Sequence, residues 1–198
     1  MSISTISPAL AVIGKLPRPQ RGPVPLIELP AIRPGQLWLV EAAADAPSQV
    51  ARHALDAAHV VVYDRALADT VAHGLPLGSY AEPAAAHEAA ASRCVRFARD
   101  GWSVARLVPA HLPQRERTRR LQDFVDELAA AKVPGSLPVL VLTEAADGTA
   151  EQFEARFDDI ASIVATHPSN TRLAIAIDAF GGGAPTRLHA AAANGLAG

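Results

Sequence analysis

The sequence predicts an α/β fold, a mostly parallel sheet flanked by helices. From Gly35 onward, short runs rich in Val, Ile and Leu alternate with segments of helical periodicity, and runs apolar on both faces suit strands covered on both sides. The 198 residues are 49% hydrophobic and 19% charged, enough apolar material for a sizeable core in one large domain or two small ones. A sheet of about five or six strands is expected.

Residues 1–34 read as an extended arm. Pro8, Pro17, Pro19, Pro23, Pro25, Pro30 and Pro34 each remove a backbone donor and push the preceding residue out of the helical region. Within the arm, Leu26-Ile27-Glu28-Leu29 is a candidate short edge strand. The body spans residues 35–180. Its candidate strands are Leu37 to Val40, Val60 to Tyr63, a weak Leu75 to Leu77, Trp102 to Val108, Leu137 to Thr143 and Arg172 to Asp178. A sub-boundary near 133–137 would set off at most a shortened second domain.

The alanine-rich segment Ala84 to Arg99 predicts a helix stopped by Gly101. Leu121, Phe124, Val125 and Leu128 recur at i, i+3, i+4 and i+7, so about Gln114 to Lys132 should lay one stripe on the sheet. Thr149-Ala150-Glu151-Gln152 reads as a capping box. The helix it opens would bury Phe153, Phe157, Ile160 and Val164 until His167-Pro168 ends it. The tail, residues 181–198, opens with Gly181-Gly182-Gly183 and has too few large apolar groups to offset its ordering entropy.

Net charge is −2 and the sequence pI about 6.4, so no global field draws the chain to nucleic acid or an anionic membrane. No window reaches the apolar length of a membrane span, and the N-terminal apolar stretch precedes its basic residues, the reverse of a secretory signal. A lone cysteine, Cys94, allows no internal disulfide and no thiolate metal cage. The expectation is a cytoplasmic protein. The histidines, His53, His59, His73, His87, His111, His167 and His189, lack a metal-ligand spacing, so no metal is expected.

Four landmarks stand in one order. Gly35-Gln36-Leu37-Trp38-Leu39-Val40 is followed by Val60-Val61-Val62-Tyr63-Asp64-Arg65-Ala66-Leu67, then Leu77-Gly78-Ser79, then Ala98-Arg99-Asp100-Gly101-Trp102-Ser103-Val104-Ala105-Arg106-Leu107. This resembles the N-terminal domain of the tetrapyrrole methylases, the S-adenosylmethionine-dependent family of uroporphyrinogen-III C-methyltransferase. Val60 to Leu67 is similar to the family's Tyr-Asp-Arg-Leu-Val-like strand end, and Ala98 to Leu107 to its Ala-x-x-Gly-x-x-Val-x-Arg-Leu segment. The resemblance implies methyl transfer from S-adenosylmethionine to a tetrapyrrole precursor of the sirohaem or corrin route, and a homodimer.

The departures fall on the cofactor loops. Where the family has Val-Gly-x-Gly-Pro-Gly-Asp-Pro, this chain reads Val40-Glu41-Ala42-Ala43-Ala44-Asp45-Ala46-Pro47, which loses the glycines that let backbone amides approach a ligand. Where the family has Lys-Gly-Gly-Asp-Pro, the chain has Val108-Pro109-Ala110-His111-Leu112. By position in the resemblance, Val40, Asp45, Pro109 and His111 are the cofactor-loop candidates. The same losses point to a relative degenerate in its S-adenosylmethionine loops, with a non-catalytic protein that binds a tetrapyrrole or another partner as the alternative.

The remaining candidates concern the substrate. Tyr63, Asp64 and Arg65 end a strand at its carboxyl edge, where α/β sheets place ligand contacts. The resemblance makes Asp64 the catalytic candidate, handling a proton, and Tyr63 and Arg65 substrate contacts. Alternatively Asp64 caps the next helix and Arg65 is solvated. In Gln114-Arg115-Glu116-Arg117-Thr118-Arg119-Arg120 the clustered arginines, Arg115 and Arg117 foremost, suit an anionic ligand such as a multi-carboxylate tetrapyrrole. The alternative is a solvated face with a Glu116–Arg120 i,i+4 pair.

Overall fold

A computed structural model describes residues 29–178 except Ala46, residues 85–89, His111 and Ser169. The arm up to residue 28, with most of its candidate edge strand, and the tail from residue 181 lie outside the described residues. The chain runs β1 (Leu37–Ala42), α1 (Gln49–Ala57), β2 (Val60–Tyr63), α2 (Ala68–Gly74), β3 (Tyr80–Pro83), α3 (Ala90–Arg99), β4 (Val104–Pro109), α4 (Gln114–Ala130), β5 (Pro138–Glu144), β6 (Ala150–Arg156), α5 (Ile160–Thr166) and β7 (Arg172–Ile177).

The strands form one seven-stranded sheet of order β3-β2-β4-β1-β7-β5-β6. The α/β class read from the sequence holds, and the sheet is mixed. From β3 to β1 all pairs are parallel, because helices connect each strand to the next. From β1 to β6 all pairs are antiparallel, so the chain beyond residue 137 adds its strands to the same sheet.

Alternation along β1 divides the core. Trp38, Val40 and Ala42 pack with Val50, Ala54 and Leu55 of α1 and Val71 of α2. Leu37 and Leu39 face Cys94 and Val95 of α3, Leu121 and Leu128 of α4, and Ile160 and Val164 of α5. Period-2 alternation is what puts neighbours of one strand into two cores.

Helix ends follow local chemistry. Ser48 Oγ caps α1 by accepting from the Ala51 amide at 3.1 Å. After α3, Gly101 takes φ 87°, while its amide reaches the Ala98 carbonyl and that of Trp102 the Phe97 carbonyl, a Schellman stop. The same pattern ends α4: Lys132 donates to Ala129 and Val133 to Leu128, with Lys132 at φ 64° where glycine is the usual residue.

Two sequence expectations fail locally. The weak strand at Leu75 to Leu77 is a turn with Leu77 fully exposed; Pro76 removes an amide there, and the strand forms at Tyr80 instead, which pairs with Val60. The helix expected from Thr149 is half strand. Asp147 Oδ1 accepts from the Thr149 amide at 2.8 Å, Gly148 takes φ 86°, and Ala145 and Thr149 close a hairpin. An Asp-Gly turn outweighs a capping-box pattern here. Phe153 therefore lies on exposed β6, and only Phe157 onward turns helical.

Candidate functional site

The sheet order reverses between β1 and β4: β1 leads through α1 to one side and β4 through α4 to the other. The crevice outside the carboxyl ends of those strands is where such sheets take ligands. It is bordered by Glu41 to Asp45 at and beyond the end of β1, Pro109 and Ala110 at the end of β4, and Asp64 just after β2.

Asp64 is the centre of a charged cluster. Its Oδ2 accepts from Arg120 Nη1 at 3.0 Å and lies 3.6 Å from Arg106 Nη2. The Asp64 side chain is 24% exposed, Arg106 only 7% and Arg120 37%. Arg106 Nη1 donates to the carbonyl of Leu107 at 2.8 Å and more weakly to that of Val62, while its buried Nε has no partner. A guanidinium so deep depends on a nearby carboxylate, and Asp64 is the one that meets it. On the outer side, Glu116 accepts from Arg119 and from Arg120, which holds its carboxyl down at about 2.

A second assembly fills the crevice itself. Glu41, 2% exposed, binds Arg117, 1% exposed, through Nε at 2.5 Å and Nη2 at 2.7 Å. Arg117 spends its remaining donors on the carbonyls of His167, Pro168 and Thr171, and Glu41 also accepts the Leu173 amide at 2.8 Å. All five guanidinium protons have acceptors. Glu144, at the end of β5, lies over the start of α1 at 3.4 and 3.5 Å from the amides of Gln49 and Val50, where a helix dipole favours an anion. Ala42 and Ala43 are buried, and the Ala110 amide is already given to the Ala42 carbonyl at 2.9 Å.

The expected site residues therefore separate. Tyr63 and Asp64 are half-buried and Arg65 exposed at the end of β2; Asp64 accepts no helix-capping hydrogen bond. Arg115 is exposed on the first turn of α4. Arg117 is corrected from a ligand contact to a buried structural group, because helical rotation turns it inward while Arg115 and Arg119 face out. Val40 is wholly buried against α1, so its side chain reaches no ligand. Pro109 is half-buried opposite Ala42. Asp45 lines a cavity of about 630 Å³ between α1 and α2, together with Arg52, Asp56, Asp69 and His73. His111 lies outside the described residues.

Sequence reasoning missed the roles of Glu41, Glu144 and Arg106. The available signal was a charge within or at the end of an otherwise apolar strand, as in Leu-Val-Glu, Leu-Thr-Glu and Ala-Arg-Leu. Among the described residues, no group of three His, Cys, Asp or Glu side chains is placed to hold a metal ion, and no helix is long and apolar enough to cross a membrane.

The structural neighbours are tetrapyrrole methyltransferases. The chain is similar to a cobalt precorrin-4 methyltransferase of cobalamin biosynthesis at 12% identity, over 73% of this chain and 95% of that one, with a TM-score of 0.32. It is also similar to uroporphyrin-III C-methyltransferase from Thermus thermophilus at 18% identity, over 71% and 92% of the two chains, with a TM-score of 0.28. A native form of that enzyme gives 14%, 70%, 91% and 0.21. No family model and no curated protein matches the sequence.

Proposed function

We propose that this chain is a divergent relative of the tetrapyrrole methylases that binds an anionic, tetrapyrrole-class ligand at the carboxyl edge of β2 and β4 without transferring a methyl group. The observation that carries the reading is the self-filled crevice. The glycine cradle that S-adenosylmethionine uses in the family needs open backbone amides, and here Ala42 and Ala43 bring buried methyl groups. The Ala110 amide is spent within the sheet, and Glu41 is locked to Arg117. These residues do not fit the cofactor.

The ligand half of the reading rests on the landmark Tyr63-Asp64-Arg65 and on the cations beside it. Arg65 follows Asp64 directly, Arg120 reaches it from α4, and Arg115 is exposed on the first turn of the same helix. Guanidinium groups pair with planar carboxylates in a bidentate fashion, and several such pairs suit a ligand with several carboxylates. The expected homodimer belongs to the same proposal and is checked by sedimentation velocity.

Methyl transfer is the second reading, favoured by Asp64, which stands partly open to solvent at the end of β2. Calorimetric titration with S-adenosylhomocysteine and absorbance titration with uroporphyrin III separate the two. The expected outcome is no heat with the first and a saturable porphyrin shift with the second, weakened in Arg120→Ala. Micromolar S-adenosylhomocysteine binding would restore the methyltransferase reading; a flat porphyrin titration would sink the ligand reading.

A further inference from the structure

At the opposite, amino-terminal edge of the parallel strands lies an aromatic groove with no part in the reading above. Tyr80 opens β3, His59 immediately precedes β2, and Trp102 lies just before β4. These strands are neighbours, so at about 4.8 Å per strand the three rings form a row of roughly 10 Å. Phe97 and Arg93 of α3 wall the row, and the enclosed space is about 330 Å³.

The walls are set in advance. His59 and Trp102 have ring centroids 5.9 Å apart at 58°, and Tyr80 and Phe97 are 5.9 Å apart at 54°. His59 is anchored, with its amide and Nδ1 both on Ser103 Oγ. Glu82 accepts from Arg93 at 2.5 and 2.8 Å and from Tyr80 Oη at 2.7 Å, and the Arg93 guanidinium covers the Phe97 ring at 5.1 Å. These charges answer one another, so the groove offers an occupant ring surface. Tyr80 is 50% and Trp102 48% exposed, with the fully exposed Leu77 in the turn leading to Tyr80. A contiguous apolar cluster of this kind marks an interaction surface.

An open row of aromatic rings suits a proline-rich segment in the polyproline II form, which is set before it binds and so loses little entropy. The chain carries such a segment. Pro17, Pro19, Pro23 and Pro25 stand close together in the arm. With three residues per turn, Pro17, Gln20 and Pro23 share one face, Pro19, Gly22 and Pro25 a second, and Arg18, Arg21 and Val24 the third. Two adjoining faces therefore hold these prolines, and the arginines keep to the other. One turn rises about 9.3 Å, close to the length of the ring row.

The tether is long enough. Leu29 packs on the core beneath α1, and the Gly35 amide donates to the Trp102 carbonyl at 3.1 Å. The short stretch from Leu29 to Gly35 spans at most about 20 Å, which bounds the way back to the groove. Polyproline II running from Leu29 back to Pro19 covers about 31 Å. A tether this short holds the segment at about millimolar effective concentration, so a contact too weak to capture a free peptide suffices.

We propose that residues 17–25 of the chain's own arm dock in this groove as a polyproline II segment, their prolines on the Tyr80-His59-Trp102 row and Arg18 and Arg21 toward solvent.

Limited trypsin digestion of the full chain tests the docking. Trypsin cuts after Arg21 and is blocked after Arg18 by Pro19. Slow cleavage at Arg21 is expected in the wild type. It should be about three- to tenfold faster in Trp102→Ala and in Tyr80→Ala, the worth of one ring contact; both rings are half-exposed and so tolerant of truncation. A second readout leaves the body of the protein untouched. Trp38 is buried at 1% exposure, so acrylamide quenching reports Trp102, and it should increase in the full-chain variant Pro23→Ser/Pro25→Ser. One cleavage rate at Arg21 in the wild type and both folded ring variants, or unchanged quenching in the proline variant, would overturn the proposal. Protection that grows with protein concentration would overturn it too, by giving the groove to the arm of a second copy.

Discussion

Replacing Arg117 with Met tests the buried ion pair that ties α4 to the sheet. Arg117 and Glu41 are almost wholly buried, and removing one partner leaves the other as an uncompensated buried charge, at a cost of about 3–5 kcal/mol. That is a large share of the roughly 5–15 kcal/mol that holds a domain folded. Glu41 keeps the Leu173 amide, and the Thr171 carbonyl loses the Arg117 donor, while the His167 and Pro168 carbonyls keep Gln114 Nε2 and the Thr171 amide. With a urea slope of about 2 kcal/mol per molar, the unfolding midpoint should fall by about 1.5–2.5 M at unchanged slope. The double variant Glu41→Leu/Arg117→Met removes both charges and should regain part of the loss, short of full recovery because the Thr171 carbonyl still lacks the Arg117 donor. A single variant costing under about 1 kcal/mol, or a double variant no more stable than Arg117→Met, would refute the reasoning.

Burial pushes the Cys94 thiol up to about 12, so native protein should resist iodoacetamide at pH 8 and react once unfolded in urea; equal rates would count against a closed core there. Because the folded value lies above the unfolded one near 9.0, the thiol's contribution is complete below pH 9 and is lost as pH rises toward 12, which alkaline denaturation curves of the wild type and Cys94→Ala should show. Lys132→Gly relieves a side chain from a left-handed backbone and should stabilise by about 1 kcal/mol, a rise in Tm of roughly 2–4 °C; a lower Tm would mean that Lys132 makes a compensating contact. Glu116 should titrate by NMR near pH 2, not near 4.5, since Arg119 and Arg120 lower it. Its pairing therefore persists above about pH 4.5 and fails as pH falls toward 2, and a normal midpoint would show that the arginines do not hold it in solution.

Much of the scaffold was legible because its signals are local. Val60 to Tyr63 is β2 to the residue, since a short apolar run bounded by polar residues has few other uses. The stripe Leu121, Phe124, Val125 and Leu128 is buried as its spacing required. Asp64 stands at the carboxyl edge where a residue closing β2 must stand. The errors came where two local signals competed, as at Thr149 to Phe157, where the Asp-Gly turn and the unpaired edge of β5 took the chain into a strand.

The sequence by itself determined most of the strands, where α3 and α4 stop, and that the segments after Val40 and Val108 lack glycines, because each depends on residues close together along the chain. Only the tertiary structure decided that Arg117 binds Glu41, 76 residues away, that Arg106 and Arg120 converge on Asp64, and that Tyr80, His59 and Trp102 line one edge. A sequence gives charge and size at each position, but the partner of a buried charge is fixed by which strands lie side by side, and that order emerges only when both faces of the sheet are packed.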